Sequence, residues 1–435
     1  MALSADWLSV MTREISLLLA GDALITRPWS HVANADFLGL IKEIRDADVA
    51  IANLETVIHD FKGHAQADCG GIYMASPPVV AAELKWAGFD MLAHANNHSF
   101  DYGSSGVLET IEYAESNGLI VAGSGRDLQS ARAPRYVQCE CATVALVAMT
   151  ADFVPYGKAS YSRPDLHGRP GVNPLTLTRK ESTNLRPLKA ARQAWRYFRR
   201  ALRAPSLGQF ADLEFVTARD RQVALADAKA NLDSISEAAS KAGIVVVSIH
   251  AHRQGPWLKN FAHQAIERGA SVIFVHGPHH TRGIELHQGR PIFYSMGDFV
   301  FETEYVARFP SDAYERLGLA PDAQIDDLKA VDDGPNSELL RDRNVFEGFI
   351  TSMSIAESVP TKIQLVPIDL GFDSGDDSRG RPHLASTEVG ERIIGTVAAR
   401  SRKFGTQIRY DPGTNRGDVV LCDPEAGRAS RINAG

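Results

Sequence analysis

The sequence predicts an α/β fold, a parallel or mixed sheet covered by helices, on three observations. Short β-rich apolar runs alternate along the chain with segments of helical spacing. Polar side chains able to hold a metal fall just past the ends of those runs, where open α/β sheets bind ligands. The balance of 44% hydrophobic and 23% charged residues in 435 is that of an ordinary folded protein, which excludes a mostly disordered chain. This length suits roughly two to three domains, or one large domain with insertions.

The elements follow in order. Ile15–Ala20 reads as a buried strand ending in Gly21-Asp22. Phe37, Leu40, Ile41 and Ile44 have helical spacing over Phe37–Asp46. Val49–Asn53 is a strand leading to Leu54-Glu55, and Pro78–Ala87 a helix carrying Val79, Val80, Leu84 and Trp86. Met91–His94 is a strand that opens into Ala95-Asn96-Asn97-His98. Gly106–Asn117 is a helix stopped by Gly118. Thr143–Thr150, Ile244–His250 and Ser271–Val275 are further buried strands. Phe349–Ala356 and Lys362–Ile368 alternate like paired strands. A last helix, Glu388–Phe404, precedes a strand near Val419–Leu421.

Two stretches interrupt this rhythm. Residues 155–222 are basic and rich in Pro and Gly, with a basic aromatic helix over Leu188–Ala204. That helix carries Trp195, Arg196, Tyr197, Phe198, Arg199 and Leu202. It suits a lid packing its aromatics on the body, or a docking surface for an acidic or peptidic partner. Residues 302–345 are acidic and polar and read as a surface insertion. The expected organisation is a core over 14–301 interrupted by 155–222, then the 302–345 insertion, then 346–435 completing the sheet.

Lys+Arg 46 against Asp+Glu 53 leaves a formal charge of −7, a poor match to a general nucleic-acid binder. Four cysteines are too few for a disulfide scaffold. Cys139 and Cys141 alternate on one expected strand and read as small buried residues. No stretch is apolar enough over about 20 residues to span a membrane. The run Ile15–Ala20 is too short for a secretory core, which needs roughly 7–15 residues, and no basic segment precedes it. Neither an anchor nor export is inferred, and a cytoplasmic protein with reduced thiols is expected.

The chemistry resides in the strand-end clusters: Asp22; Asn53 with Glu55; Asn96-Asn97-His98 with Asp101; His250 and His252; His276 and His279. Any one of them reads as a turn, cap or structural histidine. Their recurrence after successive strands points to one site. Carboxylates, amides and imidazoles suit Mn²⁺, Fe, Zn²⁺ or, where oxygen dominates, Ca²⁺. A carboxylate between imidazole groups can bridge two ions. His98 with Asp101 suggests an oriented acid–base pair.

On these strings the chain resembles the CapA family, named for capsular poly-γ-glutamate synthesis, within the calcineurin-like metallophosphoesterases. The matching segments are Leu-Ala-Gly-Asp at Asp22, Ala-Asn-Leu-Glu at Glu55 and Ala-Asn-Asn-His-Ser-Phe-Asp-Tyr-Gly over Ala95 to Gly103. They continue with Val-Val-Val-Ser-Ile-His at His250, His-Gly-Pro-His-His-Thr-Arg-Gly-Ile-Glu from His276, and Pro-Ile-Phe-Tyr-Ser-Met-Gly-Asp-Phe to Phe299. The resemblance implies a four-layer α/β/β/α sandwich. It implies one or two divalent ions (Ca²⁺, Mn²⁺ or Zn²⁺) on Asp22, Glu55, Asn97, His250, His276 and His279, with Asn53 and Asn96 behind them, and no organic cofactor. His98 matches the catalytic histidine and Asp101 its supporting acid.

Departures from the family pattern shape the functional reading. The Asp-x-His opening of the superfamily is absent at Asp22. The family's His-Trp-Gly-x-Glu is replaced by His250-Ala251-His252-Arg253-Gln254, and Asp298 stands where Asn is usual. The resemblance extends to a branch of metal-dependent peptide epimerases of the MslH lasso-peptide type. Two-base inversion at Cα of a ribosomal precursor peptide, at its C-terminal residue, would use His98 with Asp101 on one face and, on the other, His252 or His279 with Asp22 or Asp298, of which His252 and Asp298 are the departures this reading needs. Trp195, Arg196, Arg199 and Arg253 would bind the peptide. A metal-dependent phosphoesterase and a CapA-type poly-γ-glutamate capsule protein are the alternatives.

Overall fold

In the computed structural model, which describes residues 14–69, 71–140, 142–179, 221–320, 322–331, 335–375 and 378–421, side-chain alternation builds the layers. Along Ile15–Leu24, Ile15, Leu17 and Leu19 enter one apolar cluster, while Leu18 and Ala20 enter another on the opposite face. Val49–Leu54 repeats this, with Val49 and Ile51 on one side and Ala50, Ala52 and Leu54 on the other. A strand buried on both faces must read as a continuous apolar run, which is how these segments look in sequence.

The strands form two main sheets. The 10-stranded sheet runs Ile408–Asp411, Arg416–Val419, Val359–Asp369, Glu347–Ala356, Ile15–Leu24, Val49–Leu54, Met91–Ala93, Ile120–Ala122. Asp298–Phe301 also pairs with Ile15–Leu24, and His383–Leu384 with Val359–Asp369. The 6-stranded sheet runs Ile284–His287, Arg290–Phe293, Val272–His276, Ile244–His250, Thr143–Thr150, Arg135–Gln138. The core between the sheets joins Leu17, Leu19 and Ile51 to Leu146, Val246 and Phe274. Burial of each such aliphatic side chain is worth about 1.5–3 kcal/mol.

Helices cover the outer faces, giving the predicted α/β/β/α order. Ala35–Arg45 is capped by Asn34, whose side chain accepts from Phe37 N at 2.9 Å, and buries Phe37, Leu40, Ile41 and Ile44. Val79–Ala87 joins it and ends at Gly88 in the left-handed conformation. On the far side, Leu225–Lys241 and Pro256–Glu267 pack Leu232, Ile235, Leu258 and Phe261 against Val245, Val247 and Ile273.

Several boundaries differ from the sequence expectation. The first strand continues through Asp22 to Leu24, with its register broken on both flanks beside Asp22. Such bulges bend a strand and re-aim a side chain. Gly21 allows the bend: a Cβ there would lie 2.0 Å from Gly297 O. The strand expected near Val419–Leu421 is the second arm of a hairpin, Arg416–Val419 paired with Ile408–Asp411. Its turn holds Asn415 at φ 53° and a Thr414 hydroxyl donating to Asp411 Oδ2. Cys139 follows the strand Arg135–Gln138 and is a free thiol, as is Cys69, while Cys141 lies outside the described residues. The acidic stretch contains short helices at Ser311–Arg316, Ile325–Val331 and Pro335–Arg341. The basic segment Leu188–Ala204, with Trp195, Arg196 and Arg199, lies outside the described residues. No helix among the described residues is long and apolar enough to cross a membrane.

Candidate metal centre

Parallel strands end together, so residues after their carboxyl ends converge. Asp22 is the register partner of Asn53 on one side and of Asp298 on the other. His250 is the partner of His276 in the second sheet. The sheets meet here: Gly277 N donates to Asp22 Oδ2 at 2.8 Å, and His276 Nδ1 lies 3.4 Å from Asp22 Oδ1. Gly277 has φ 108°, and a Cβ on it would stand 3.0 Å from the His250 ring. That close approach and backbone conformation both require glycine.

Three overlapping groups bring ligand atoms within 4.8 Å of one another: Asp22, His250 and His276; Asp22, Glu55 and His279; Glu55, His250 and His252. Asp22, Glu55 and His250 each belong to two groups, the sharing expected where adjacent cations use common ligands. The imidazoles are locked by their other contacts. Ser248 Oγ is 2.6 Å from His276 Nε2, and the Nδ1 atoms of His250 and His276 are 2.9 Å apart. His279 Nδ1 is held by Asp298 at 2.9 Å. His250 Nε2 and His252 Nε2 face each other at 3.1 Å. A carboxylate behind an imidazole fixes the tautomer that leaves its other nitrogen free for a metal.

The donor set fits a divalent cation. Among the described residues no donor group reaches either oxygen of the fully buried Glu55 carboxylate, whose neighbours are the Asp22 carboxyl and, at 3.6 Å, His250 Nε2. Burial, followed by Asp22 and Asp298, drives the Glu55 pKa well above its usual value. Burial likewise raises Asp22 and Asp298. The imidazoles move the other way: burial depresses His250 strongly, His252 and His279 to about 4, and His276 to about 3. The pocket thus disfavours charge on every one of these groups. Neutral imidazoles are the form that binds metal, and crowded carboxylates gain most from a cation.

Beside this cluster sits a separate pair. His98 Nδ1 is 2.8 Å from Asp101 Oδ2, and the same oxygen accepts from Met74 N at 2.8 Å. A charge on His98 would be felt by His250, His252 and His279, so the imidazole lies within reach of the same space. Asn96 links the halves: its amide donates to Asn53 Oδ1 at 3.2 Å and Leu54 O at 2.7 Å, while its Oδ1 accepts from His98 N at 3.2 Å. Asn53 in turn donates to Asp22 Oδ1 at 2.7 Å. Asn97 is buried in the same turn.

The structure therefore gathers Asp22, Asn53, Glu55, Asn96, Asn97, His98, Asp101, His250, His252, His276, His279 and Asp298 at one end of the sandwich. Within that set, His252 faces His250 among the ligand groups, and Asp298 sits behind His279. Arg253 is half-buried on the same loop. Sequence reading missed Ser248 and Asp152, whose carboxylate accepts from His252 N at 2.7 Å. Both had a signal. Ser248 lies two residues before His250 and so shares its strand face, while Asp152 follows the end of Thr143–Thr150.

An α/β/β/α sandwich with a buried carboxylate–imidazole cluster at its strand ends is a calcineurin-like fold. The family model for the bacterial capsule synthesis protein PGA_cap matches residues 16–303, and this chain belongs to that family. It is 29% identical over 427 residues to the uncharacterized protein y4sH of Sinorhizobium fredii, covering 91% of each chain. A probable polyglutamine synthesis accessory protein of Mycobacterium tuberculosis is 28% identical, over 84% of this chain and 75% of its own. The capsule biosynthesis protein CapA of Bacillus anthracis is 22% identical, over 66% of this chain and 60% of its own.

Proposed function

We propose that this chain is a divalent-metal-dependent enzyme that performs acid–base chemistry on an acidic, glutamate-rich chain of the kind its capsule-synthesis relatives are named for. The observation that carries the metal is Glu55, a buried carboxylate that among the described residues accepts no hydrogen bond at either oxygen, amid neutral imidazoles. Asp22, Glu55, His250, His252, His276 and His279 would hold the ion or ions. A bound divalent ion supplies positive charge that polarises a substrate oxygen. Asp101 accepts from His98 Nδ1–H and fixes the ring, which leaves Nε2 as the atom that takes up and returns the substrate proton. Burial of the surrounding strand ends excludes bulk water.

Peptide Cα epimerisation is a second reading, favoured by one observation. Two His–carboxylate pairs, His98–Asp101 and His279–Asp298, serve the same cluster. Inversion needs proton donors or acceptors on opposite faces of one carbon. The relatives' names favour the first reading.

The test adds Mn²⁺, Zn²⁺ or Ca²⁺ to chelator-treated protein, then poly-γ-glutamate of uniform length or an acidic peptide in D₂O. Mass spectrometry and chiral amino-acid analysis read the products. Metal-dependent shortening supports hydrolysis; deuterium uptake with inversion and no shortening supports epimerisation. If neither occurs with any ion, the proposed activity fails.

A further inference from the structure

The loops that carry His252 and His279 run on into a second feature. A cavity of about 530 Å³ is lined by Gln254, Lys259, Arg282, Tyr294, Arg400 and Lys403, among others. Gln254 lies two residues after His252, and Arg282 three after His279. The cavity therefore borders the metal centre along the chain.

Its charge balance is unusual for a protein of net charge −7. Four cations face it, and the nearby carboxylate, Glu285, is already engaged. Glu285 takes Lys259 Nζ at 2.9 Å, Tyr294 OH at 2.7 Å and His263 Nε2 at 3.0 Å. Arg282 is half-buried, and its side chain donates to the neutral Gln254 Oε1 at 3.3 Å. Arg400 donates to Thr281 O and, at 3.1 Å, to Thr281 Oγ1. Among the described residues neither arginine has an acidic partner, and Lys403 is seated over the Phe404 ring. Tyr294 and Phe404 stack at 5.0 Å and form an aromatic wall.

Half-burying a guanidinium beside another without a counter-ion is costly. Burial and then Arg400 make Arg282 easier to deprotonate than a free arginine. An anion entering the cavity would relieve both effects, and arginine forks match carboxylates in pairs.

We propose that this cavity binds carboxylates of an acidic chain, Arg282 and Arg400 holding one group and Lys403 the next, while the reacting part reaches the metal centre. The choice of a carboxylate chain rests on the function proposed above; the anion site itself rests on the two arginines that lack an acidic partner among the described residues. The aromatic wall would pack against the aliphatic spacers between successive carboxylates.

The test measures binding of penta-γ-glutamate to the full chain by calorimetry, with inorganic phosphate as a second probe. The variants are Arg282→Gln with Arg400→Gln, and Arg282→Lys with Arg400→Lys; thermal unfolding and metal content verify their folding. The proposal expects the glutamine pair to weaken pentaglutamate binding at least about tenfold, with metal content unchanged. The lysine pair should retain part of the affinity, and added salt should weaken the wild type. Glu55→Gln should lose metal yet still bind pentaglutamate. Equal pentaglutamate binding by wild type and the glutamine pair overturns the cavity proposal while leaving the proposed function intact. Phosphate bound and lost in the glutamine pair, with no pentaglutamate bound, keeps an anion site but rejects both its carboxylate-chain occupant and the glutamate substrate. Neither probe binding overturns the cavity proposal.

Discussion

Glu55 Oε1 and His250 Nε2 face each other across 3.6 Å in a space that excludes solvent, and among the described residues neither oxygen of Glu55 accepts a hydrogen bond. That separation is too long for a hydrogen bond and suits two ligands of a common cation. The site is thus an electrostatic arrangement that a divalent ion would complete.

Glu55→Gln should therefore have opposite effects in two conditions. Without metal, exchanging the unsatisfied carboxylate for an amide should raise stability by roughly 1–3 kcal/mol. With metal at 100 times its Kd, the wild type should gain about 2.7 kcal/mol and the variant little. Denaturant unfolding with chelator and with Mn²⁺ or Zn²⁺ checks both arms. A variant that is less stable in chelator and stabilised normally by metal would remove Glu55 from the site.

His98→Ala should leave metal content intact and lower turnover of the acidic chain by about 10²–10⁴-fold, the usual worth of a positioned acid or base. Asp101→Asn should reduce turnover too, and should also cost stability, because Asp101 Oδ2 accepts from Met74 N as well as holding His98. Rates at saturating metal, together with unfolding curves, separate the two effects. Loss of metal in His98→Ala would make the histidine a ligand instead.

The buried His94 predicts acid sensitivity. Burial lowers its pKa to about 4 from 6.5, with Nδ1 2.9 Å from Ser124 Oγ. A lowered histidine pKa means that the unfolded chain binds the proton first. Its contribution is complete above pH 6.5 and is lost as pH falls toward 4, amounting to about 3 kcal/mol at the low end. Unfolding free energies of wild type and His94→Gln at pH 7.5 and 4.5 provide the test. If the two lose stability equally, His94 does not titrate as its burial implies.

Gly277→Ala should damage the centre through the backbone. It combines φ 108° with a Cβ position 3.0 Å from the His250 ring, so His250 must shift. Strain of roughly 1–3 kcal/mol is expected, with metal affinity down. Gly318→Ala is the control: φ is 73° but nothing lies within 4 Å of the added Cβ, so stability falls and metal affinity does not. Metal titration of both variants settles whether contact or strain matters. Equal affinities in the two would deny any role to the His250 contact.

The parts of the molecule visible in sequence share a physical cause. Strands buried on both faces must be continuous apolar runs, so Thr143–Thr150 and Ile244–His250 were readable to the residue. The strand-end rule then collected Asp22, Asn53, His250 and His276. The path past Asp22 was not readable, because the bend there depends on Gly21 meeting Gly297 O, which is remote in sequence. The helix Leu225–Lys241 escaped because polar residues separate its buried Leu232, Ile235 and Ala238. The cationic cavity escaped because it joins the 250s, 280s and the 400 region only through the fold.

Asp298→Asn discriminates between the two readings of the site. Asp298 is buried and its carboxylate is engaged by His279 Nδ1 at 2.9 and 3.2 Å. If it positions His279, the neutral amide weakens that orientation and metal affinity falls about 10–100-fold. Saturating metal then restores turnover to near the wild-type level. If Asp298 and His279 carry a proton for the opposite face of a Cα, turnover stays down by roughly 10²–10⁴-fold at saturating metal. His252→Ala gives the matching arm: His252 Nε2 faces His250 Nε2 at 3.1 Å, so metal affinity should fall and saturating metal should restore turnover. Positioning is the expected result for both, since each imidazole faces the ligand cluster. A rate deficit that metal cannot repair in both variants would favour epimerisation.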